Sequence, residues 1–293
     1  MRIAMLHSRI RAEERLLLDC FEELGVPIEP IDLRTEVFDP SDPGRWPEFD
    51  AVLDRSMSLT HSRAAVMILE GFGVRCMNPG SATDLCADKL ATTIALVRAG
   101  LATPRVRIGL TADSGLEAVE QLGYPSVLKP TVGSWGRLMA RVNDRDAAEA
   151  VLEHRESLGS VAQRVMYVQE YIAKPDRDIR VFVVGDEPIA AIVRTSAHWV
   201  TNTARGATAV GIPLNEEFRE LALRSSRAVA ADLCAVDLLE CPTRGLLVNE
   251  INHSMEFRNS IETTGVNIPM HIARHCVRIA QSAMSGAQSG VAV

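Results

Sequence analysis

A strand, a helix and a second strand open the chain, and this succession constrains the fold more than any other feature. Residues 2–6 are a short apolar run, residues 12–24 have the apolar spacing of an amphipathic helix, and residues 27–31 are a second strand. A helix between two strands supplies the long crossover that parallel pairing requires. Strand and helix signals alternate again up to the Asn-Pro-Gly-Ser turn at 78–81. The sequence therefore predicts an open α/β domain over residues 1–88.

The pattern changes after Asp88. A helical pattern follows, and strand runs at 104–108 and 126–130 then flank a helix around 116–122. We interpret residues 89–168 as a small central unit.

Strand runs alternate with turns from residue 165 onward, which indicates an antiparallel sheet beside a long helix. The strand runs cover 165–171, 179–184, 189–194, 235–239 and 246–249, and the helix covers 216–232. We expect residues 169–284 to form an α+β unit and the small, polar residues 285–293 to form a flexible tail. A chain of 293 residues has room for units of these sizes.

The charge balance argues against a nucleic-acid partner, because a formal net charge of −7 repels a phosphate backbone. The apolar start of the chain is too short for a signal peptide, and no later apolar run reaches the length of a membrane span. We therefore expect a cytoplasmic protein with no membrane partner. The cysteines form no C-x-x-C pair and are expected to be buried and reduced. They are Cys20, Cys76, Cys86, Cys234, Cys241 and Cys276.

Acidic and amide groups are concentrated on the last strand run. Glu250 and Asn252 share one face of this strand because strand side chains alternate, and Asp237 on the preceding strand is placed to join them. Two carboxylates and an amide oxygen are hard ligands that suit Mg²⁺. The alternative is a pair of solvent-facing polar residues on an amphipathic strand.

A lysine on an apolar strand precedes a glycine-containing loop. Lys129 is followed by Gly133 and Gly136, whose freedom from a Cβ lets backbone N–H groups approach phosphate oxygens, and Arg137 adds positive charge. The loop lacks the G-K-[ST] signature of a Walker motif. A structural hairpin turn with one lysine is the alternative interpretation.

A polar linker follows the strand at 165–171. Its backbone groups are candidates for holding the edge of an adenine, and Asp178 is then placed to accept a hydrogen bond from a ribose hydroxyl. Arg180 and Arg194 are candidates for contacts with phosphate or with the reacting acyl group. Surface pairing with a carboxylate is the alternative for each arginine.

The order of these groups along the chain resembles that of the ATP-grasp superfamily. A lysine at 89 is followed by the lysine and glycine loop, by the hinge near 170, and then by Asp237, Glu250 and Asn252. Within the superfamily the chain is most similar to the LysX and RimK-like ligases. The stretches that carry this similarity are 133–137, 196–206 and 252–257, and the resemblance extends from Arg2 to Gln281.

The resemblance implies a three-domain ATP-grasp fold, with an N-terminal α/β domain, a small lid domain and a C-terminal α+β domain with an antiparallel sheet. It implies ATP and Mg²⁺ as cofactors. With Arg180, the expected ATP contacts are Lys89, Lys129, Gly133, Ser134, Trp135, Gly136, Arg137, Gln169, Glu170, Tyr171, Ile172, Asp178, Arg194 and Asn202. Arg194 and Asn202 are also the expected catalytic residues, and Asp237, Glu250 and Asn252 are the expected Mg²⁺ ligands.

The resemblance also implies the substrates. Arg258, Asn259 and Ser260 occupy the place of a two-residue specificity motif, and Asn-Ser is similar to the LysX type, whereas the glutamate-using sister ligases carry Gly-Phe. A small polar pair leaves room for one more methylene, which favours 2-aminoadipate, although one methylene discriminates by only about 1 to 3 kcal/mol. The acyl donor implied is the C-terminal glutamate of a small acidic amino-group carrier protein.

Two other interpretations keep the ATP site. One is a RimK-like ligase that adds glutamate to a protein tail, or a ligase for a secondary-metabolite precursor on a similar carrier. The other is a non-catalytic ATP-binding regulatory module, against which the full set of charged residues argues. We expect the enzyme to form a homo-oligomer.

Overall fold

The N-terminal part of the chain forms a parallel sheet, as the crossover pattern predicts. In the computed structural model, which describes residues 1–133, 136–160, 163–201 and 206–289, its strand order is β2-β1-β3-β4. The elements are β1 (Ile3–His7), α1 (Ala12–Glu23), β2 (Ile28–Asp32), β3 (Ala51–Asp54), α2 (Leu59–Gly71), β4 (Cys76–Met77) and α3 (Gly80–Ala87). All three strand pairings are parallel. The predicted turn at 78–81 is only partly present, because Gly80 and Ser81 already form the first residues of α3.

A four-stranded antiparallel sheet follows, in the order β5-β8-β6-β7. Helix α4 (Lys89–Arg98) precedes it and packs Leu96 into the core beside the five-stranded sheet. The elements of the four-stranded unit are β5 (Val106–Gly109), α5 (Ala112–Leu122), β6 (Ser126–Lys129), β7 (Ala140–Val142), α6 (Arg145–Leu158) and β8 (Met166–Glu170). The sequence interpretation missed β7 and α6. Only Ala148, Leu152 and Arg155 are buried on α6, so its apolar stripe is too narrow to recognise.

The last part of the chain forms a five-stranded antiparallel sheet in the order β11-β10-β9-β12-β13. Its elements are β9 (Arg177–Val184), β10 (Glu187–Thr195), β11 (Thr208–Ile212), α7 (Glu216–Ala228), β12 (Leu233–Cys241), β13 (Gly245–Asn252), α8 (Arg258–Thr264) and α9 (Ile268–Ser289). Helix α7 ends before the predicted residue 232, and Ala230 follows it with a φ of 53°. Helix α9 continues past residue 285, where the sequence suggested the start of a tail.

The N-terminal sheet and the five-stranded sheet share one hydrophobic core, whereas the four-stranded sheet has a core of its own. Met5 and Leu53 pack in a cluster with Phe182 and with Ile272 of α9. The four-stranded sheet buries a separate cluster that includes Leu128. We refer to this smaller body as the lid. Among the described residues, no helix is long and apolar enough to cross a membrane.

Strand β11 and helix α8 approach so closely at Gly211 that no side chain fits between them. A Cβ built on Gly211 would overlap the carbonyl oxygen of Thr263 and would lie 2.7 Å from its carbonyl carbon. We expect Gly211→Ala to lower the free energy of unfolding by about 1 to 3 kcal/mol, because the backbone of α8 must shift. Urea denaturation measures this change.

Gly71→Ala is the matched control. A Cβ at Gly71, the last residue of α2, would meet nothing within 4 Å. This variant should keep or slightly increase stability. Equal denaturation midpoints for the two variants would contradict the tight packing of α8 on β11.

Candidate active site

A cleft between the lid and the five-stranded sheet collects most of the predicted site residues. It encloses about 960 Å³ when the solvent at its open mouth is included. The predicted residues that line it are Lys89, Lys129, Gly133, Gly136, Arg137, Gln169, Glu170, Tyr171, Ile172, Asp178, Arg180, Arg194, Asp237, Glu250 and Asn252. The predicted Ser134, Trp135 and Asn202 lie outside the described residues.

Strand register brings the charged groups of the large sheet together. Glu250 of β13 lies opposite Asp237 of β12, and Asp237 lies opposite Arg180 of β9. Asp178 of β9 lies opposite Arg194 of β10. Because cross-strand partners have Cβ atoms about 5 Å apart, these five side chains form one charged patch at one end of the sheet.

Two arginines and two carboxylates form a buried network in this patch. Arg180 makes a bidentate ion pair with Asp237 at 2.7 and 2.8 Å, and Arg194 makes one with Asp178 at 2.7 and 2.9 Å. Arg194 also reaches Asp237 at 3.1 Å. Thr201 donates a hydrogen bond to Asp178. Burial alone would raise the pKa of Asp237, but Arg180 and Arg194 lower it to about 2, so this carboxylate is charged at neutral pH.

The two predicted lysines both line the cleft. Lys129 is buried, and its Nζ donates to Gln169 Oε1 at 2.8 Å and to Asn249 Oδ1 at 3.2 Å. Burial lowers its pKa to about 8, against the favourable charge of Glu250. Lys89 Nζ donates to the Gly133 carbonyl at 2.6 Å and lies 3.6 Å from Glu250 Oε1. Both lysines therefore lie where the predicted ATP contacts require them.

A buried arginine fixes the base of the glycine loop. Arg155 of α6 donates to the carbonyl oxygens of Lys129 and Leu128 at 3.2 Å each, and to that of Leu138 at 2.8 Å. The loop therefore has both ends attached to one guanidinium. Gly136 has a φ of 63°, a backbone conformation that glycine adopts without the strain of a Cβ.

In the predicted hinge, Glu170 is engaged in ion pairs, whereas Tyr171 and Ile172 face the cleft. Glu170 pairs with Arg105 at 2.8 Å and with Arg244, which holds β8 in place. Tyr171 and Ile172 lie beyond the end of β8 and face the cleft. Arg141 of β7 stacks over the Tyr171 ring, with its Cζ 5.2 Å from the ring centroid. The backbone after residue 170 therefore stays the predicted hydrogen-bonding partner for the edge of an adenine.

Asp237 of β12 and Glu250 and Asn252 of β13 have the donor set of a Mg²⁺ site. Asn252 Nδ2 donates to Asp237 Oδ2 at 3.3 Å, which leaves the amide oxygen of Asn252 for a cation. No group of three or more His, Cys, Asp or Glu side chains able to hold a metal occurs in the described ranges. The set therefore fits Mg²⁺ as two carboxylates and one amide, with further ligands supplied by water or phosphate. For Asp237 to bind a cation, Arg180 or Arg194 would have to give up a contact with one of its carboxylate oxygens.

The predicted substrate residues lie apart from this cleft. Arg258, Asn259 and Ser260 begin helix α8; Ser260 is buried, whereas the other two are exposed. Arg258 lines a separate open groove. Their role in amine recognition stays a prediction.

Sequence reasoning missed Asn249, which accepts hydrogen bonds from Lys129 and Gln169. Strict alternation along β13 would point Asn249 away from Glu250. The register shifts here, because Asp237 pairs with Glu250 whereas Leu238 pairs with Val248. This bulge turns adjacent side chains to the same side, and only the two-strand register reveals it. Lys174, which donates to Thr201 at 3.3 Å, was also missed.

Comparison with known proteins agrees with this arrangement. Residues 86–276 match the RimK-like ATP-grasp domain, and residues 3–85 match the LysX preATP-grasp domain. Alpha-aminoadipate–LysW ligase LysX from Sulfurisphaera tokodaii is 32% identical over 93% of this chain and 96% of that protein. Glutamate–LysW ligase ArgX from the same organism is 31% identical over 94% and 98%. The crystal structure of a RimK domain protein ATP-grasp from Sphaerobacter thermophilus covers 94% of this chain and 100% of that chain, with a TM-score of 0.75 and 26% identity.

Two antiparallel sheets that enclose a cleft lined by lysines and arginines define an ATP-grasp enzyme. The chain belongs to the RimK-like ATP-grasp family. It is an ATP-dependent carboxylate-amine ligase. The predicted family and fold class are thereby confirmed, whereas the individual site roles stay predictions.

The buried Lys129 should make ATP binding depend on pH. Its pKa of about 8 in the folded chain means that the charged form is lost as the pH rises from 7 to 9. We expect kcat/KM for ATP to fall by up to about tenfold over this range, following the protonated fraction. Lys129→Arg keeps its charge and should lack this step.

The deprotonation of Lys129 has the opposite effect on the stability of the unliganded enzyme. Between about pH 8 and the ordinary lysine value of 10.5, the unfolded chain binds a proton that the folded chain does not, so this group makes the free energy of unfolding rise with pH. Parallel pH profiles of kcat/KM for wild type and Lys129→Arg would contradict the assignment.

Proposed function

We propose that this enzyme joins the α-amino group of 2-aminoadipate to the C-terminal glutamate carboxylate of a small acidic amino-group carrier protein. The observation that carries the proposal is the similarity, over more than nine tenths of the chain, to two ligases that are both named for the carrier LysW. Identities of 32% and 31% do not separate aminoadipate from glutamate. The choice of 2-aminoadipate rests on the Asn259-Ser260 pair.

The reaction requires activation of a carboxylate, which is a poor electrophile at neutral pH. A carboxylate oxygen of the carrier attacks the γ-phosphorus of ATP, and ADP leaves with the electron pair of the broken P–O bond. The amine nitrogen then attacks the acyl carbon, phosphate leaves, and the nitrogen loses a proton as the amide forms. No protein nucleophile is needed.

The charged groups of the cleft would stabilise the transferred phosphate. Lys89 and Lys129 lie on one side of the cleft and Arg194 on the other, so the charge that develops on the phosphate oxygens meets fixed cations. Mg²⁺, held by Asp237, Glu250 and Asn252, would neutralise charge on the nucleotide phosphates. Arg180 and Arg194, now paired with carboxylates, are free to exchange one acidic partner for a phosphate.

The experiment that tests this proposal is intact-mass analysis of a carrier protein after incubation with enzyme, ATP, Mg²⁺ and one amino acid at a time. We expect a mass gain equal to 2-aminoadipate less one water. A gain on a different protein tail with glutamate would favour the RimK-like alternative. ATP binding with neither a mass gain nor phosphate release would favour a regulatory module.

Glu250→Gln tests the proposed metal site in the same assay. Loss of one negative ligand should lower the rate of modification by a factor on the order of 100 or more. Glu262→Gln, on the exposed side of α8, is the matched control and should keep the wild-type rate. Near wild-type turnover of Glu250→Gln at saturating Mg²⁺ would remove Glu250 from the metal site.

The amine specificity has its own test. The double substitution Asn259→Gly with Ser260→Phe should shift preference from 2-aminoadipate toward glutamate, because the phenyl ring fills the space of the additional methylene. The measurement is the ratio of kcat/KM for the two amino acids in both proteins, which cancels a general loss of folded enzyme. Because one methylene is involved, we expect a change of about 10- to 200-fold.

An unchanged ratio would leave a carrier-protein ligase of unassigned amine specificity. In that case Asn259 and Ser260 serve the start of α8, where Ser260 N donates to the Phe257 carbonyl at 2.8 Å.

A further inference from the structure

Four buried polar atoms have no hydrogen-bond partner at the carboxyl end of the N-terminal parallel sheet, within the residues that the structure describes. They are His7 Nδ1, Ser8 Oγ, Arg55 Nη2 and Ser56 Oγ. Buried polar groups are nearly always paired, so several orphans at one place require an explanation. His7 and Arg55 are 8% and 4% exposed, and Ser56 is 8% exposed.

The four atoms come from the ends of two adjacent strands. Leu6 of β1 pairs with Asp54 of β3, and the Arg55 N–H donates to the Leu6 carbonyl at 2.9 Å. His7 and Ser8 therefore emerge beside Arg55 and Ser56. In open α/β sheets, ligands bind outside the carboxyl ends of the parallel strands.

The missing partner of Arg55 is an acceptor, and the hydroxyls of Ser8 and Ser56 can donate to the same acceptor. Arg55 Nε lies 3.3 Å from Glu14 Oε1 and Nη1 donates to the Met255 carbonyl at 3.1 Å, but Nη2 donates to nothing. A guanidinium has donors only. Glu14 is a shared counter-charge, because its Oε1 also accepts from Arg11 Nη2 at 2.8 Å. A ligand carboxylate would supply both the missing acceptor and the missing charge.

An open groove of about 850 Å³ lies next to the cluster. Four arginines and one aspartate are the charged residues that line it, namely Arg9, Arg11, Arg15, Arg258 and Asp19. The lining begins at the residue after Ser8. Glu14 lies between the groove and the cluster, because its Oε1 contacts both Arg11, which lines the groove, and Arg55. Arg11 pairs with Glu14 and Glu256, whereas no ion pair is formed by Arg9, Arg15 or Arg258 within the described ranges. Unpaired arginines on a chain with a net charge of −7 favour an anionic ligand.

The cluster also borders the segment that links the proposed metal ligands to α8. Met255, whose carbonyl accepts from Arg55, lies between Asn252 and Arg258 in the chain. The Arg55 guanidinium lies over the ring of Phe257, with its Cζ 5.6 Å from the ring centroid. A ligand held by Arg55 would thus contact the segment that joins the phosphate chemistry to the predicted specificity pair.

We propose that His7, Ser8, Arg55 and Ser56 form a subsite for a carboxylate of the amino-acid substrate, entered through the arginine-lined groove. This inference rests on the proposed function, because it takes a dicarboxylic amino acid as the amine. The ligand class is a carboxylate-bearing amino acid, such as 2-aminoadipate or glutamate.

Ser56→Ala tests the subsite because the two roles of the hydroxyl predict different results. Calorimetric titration of 2-aminoadipate and of glutamate, with Mg²⁺ and a non-hydrolysable ATP analogue present, measures the affinity. We expect the Kd of the tighter-binding amino acid to rise by about tenfold or more, as for the loss of one hydrogen bond to a charged group. The melting temperature of the unliganded variant should stay the same or increase, because an unpaired buried hydroxyl is removed.

Ser225→Ala is the matched control, since Ser225 is also buried but its hydroxyl donates to the Leu221 carbonyl at 2.7 Å. It should bind the amino acids with wild-type affinity. Arg55→Lys provides a second variant, in which the charge remains but the forked geometry is lost, and it should also raise the Kd. A lower melting temperature of Ser56→Ala with unchanged Kd would mean that an internal water is the partner, and would overturn the subsite.

Failure of this subsite is distinguishable from failure of the proposed function, because binding is measured without a carrier protein. Loss of affinity in Ser56→Ala supports the subsite even if no carrier gains mass. Mass gain by wild type with an unchanged Kd in both variants overturns the subsite and leaves the ligase assignment intact. Absence of binding of either amino acid to the wild type overturns the subsite as well.

Discussion

The buried pairing of Arg180 and Arg194 with Asp178 and Asp237 is the interaction on which the site depends. Removing one partner from a buried ion pair leaves an uncompensated charge, which is strongly destabilising. The network therefore requires the register of β9, β10 and β12, and that register also places Glu250 beside Asp237. In such a site the buried arginines are neutralised by carboxylates before a ligand binds. An anionic ligand can then replace a carboxylate as the partner of an arginine, so that no unpaired buried charge is needed.

The two bodies that border the cleft, the lid and the unit formed by the N-terminal and five-stranded sheets, have separate hydrophobic cores. The lid has its own core, and its contacts across the cleft include the hydrogen bond from Lys129 to Asn249 and the position of the Arg141 guanidinium 5.9 Å from the centroid of the Trp199 ring. Polar contacts of this kind exchange readily with water or with ligand. The N-terminal and five-stranded sheets share one apolar core, so the proposed metal ligands on β12 and β13 are held in a fixed relation to the N-terminal sheet.

Sequence reasoning succeeded where one local rule decides the structure. The crossover pattern gave the parallel sheet, and strand alternation placed Glu250 and Asn252 together. It failed where a side chain acts through partners that are distant in sequence. Arg155 contacts backbone carbonyls of the loop from a helix with few apolar residues, and Asn249 enters the cleft through a bulge that is defined only against β12. Neither the contacts of Arg155 nor the orientation of Asn249 can be derived from the alternation of side chains along a strand.

The placement of the two substrate regions suggests how specificity and phosphate chemistry are separated. The groups proposed for ATP and Mg²⁺ lie on paired strands, where a change of one residue disturbs a cross-strand partner. Arg258 and Asn259 lie on the exposed start of a short helix, and the segment before it is held by Asn78, which donates to the His253 carbonyl at 2.8 Å, and by Arg55. Substitutions at Arg258 and Asn259 can therefore leave the strand register, and with it the proposed phosphate site, unchanged.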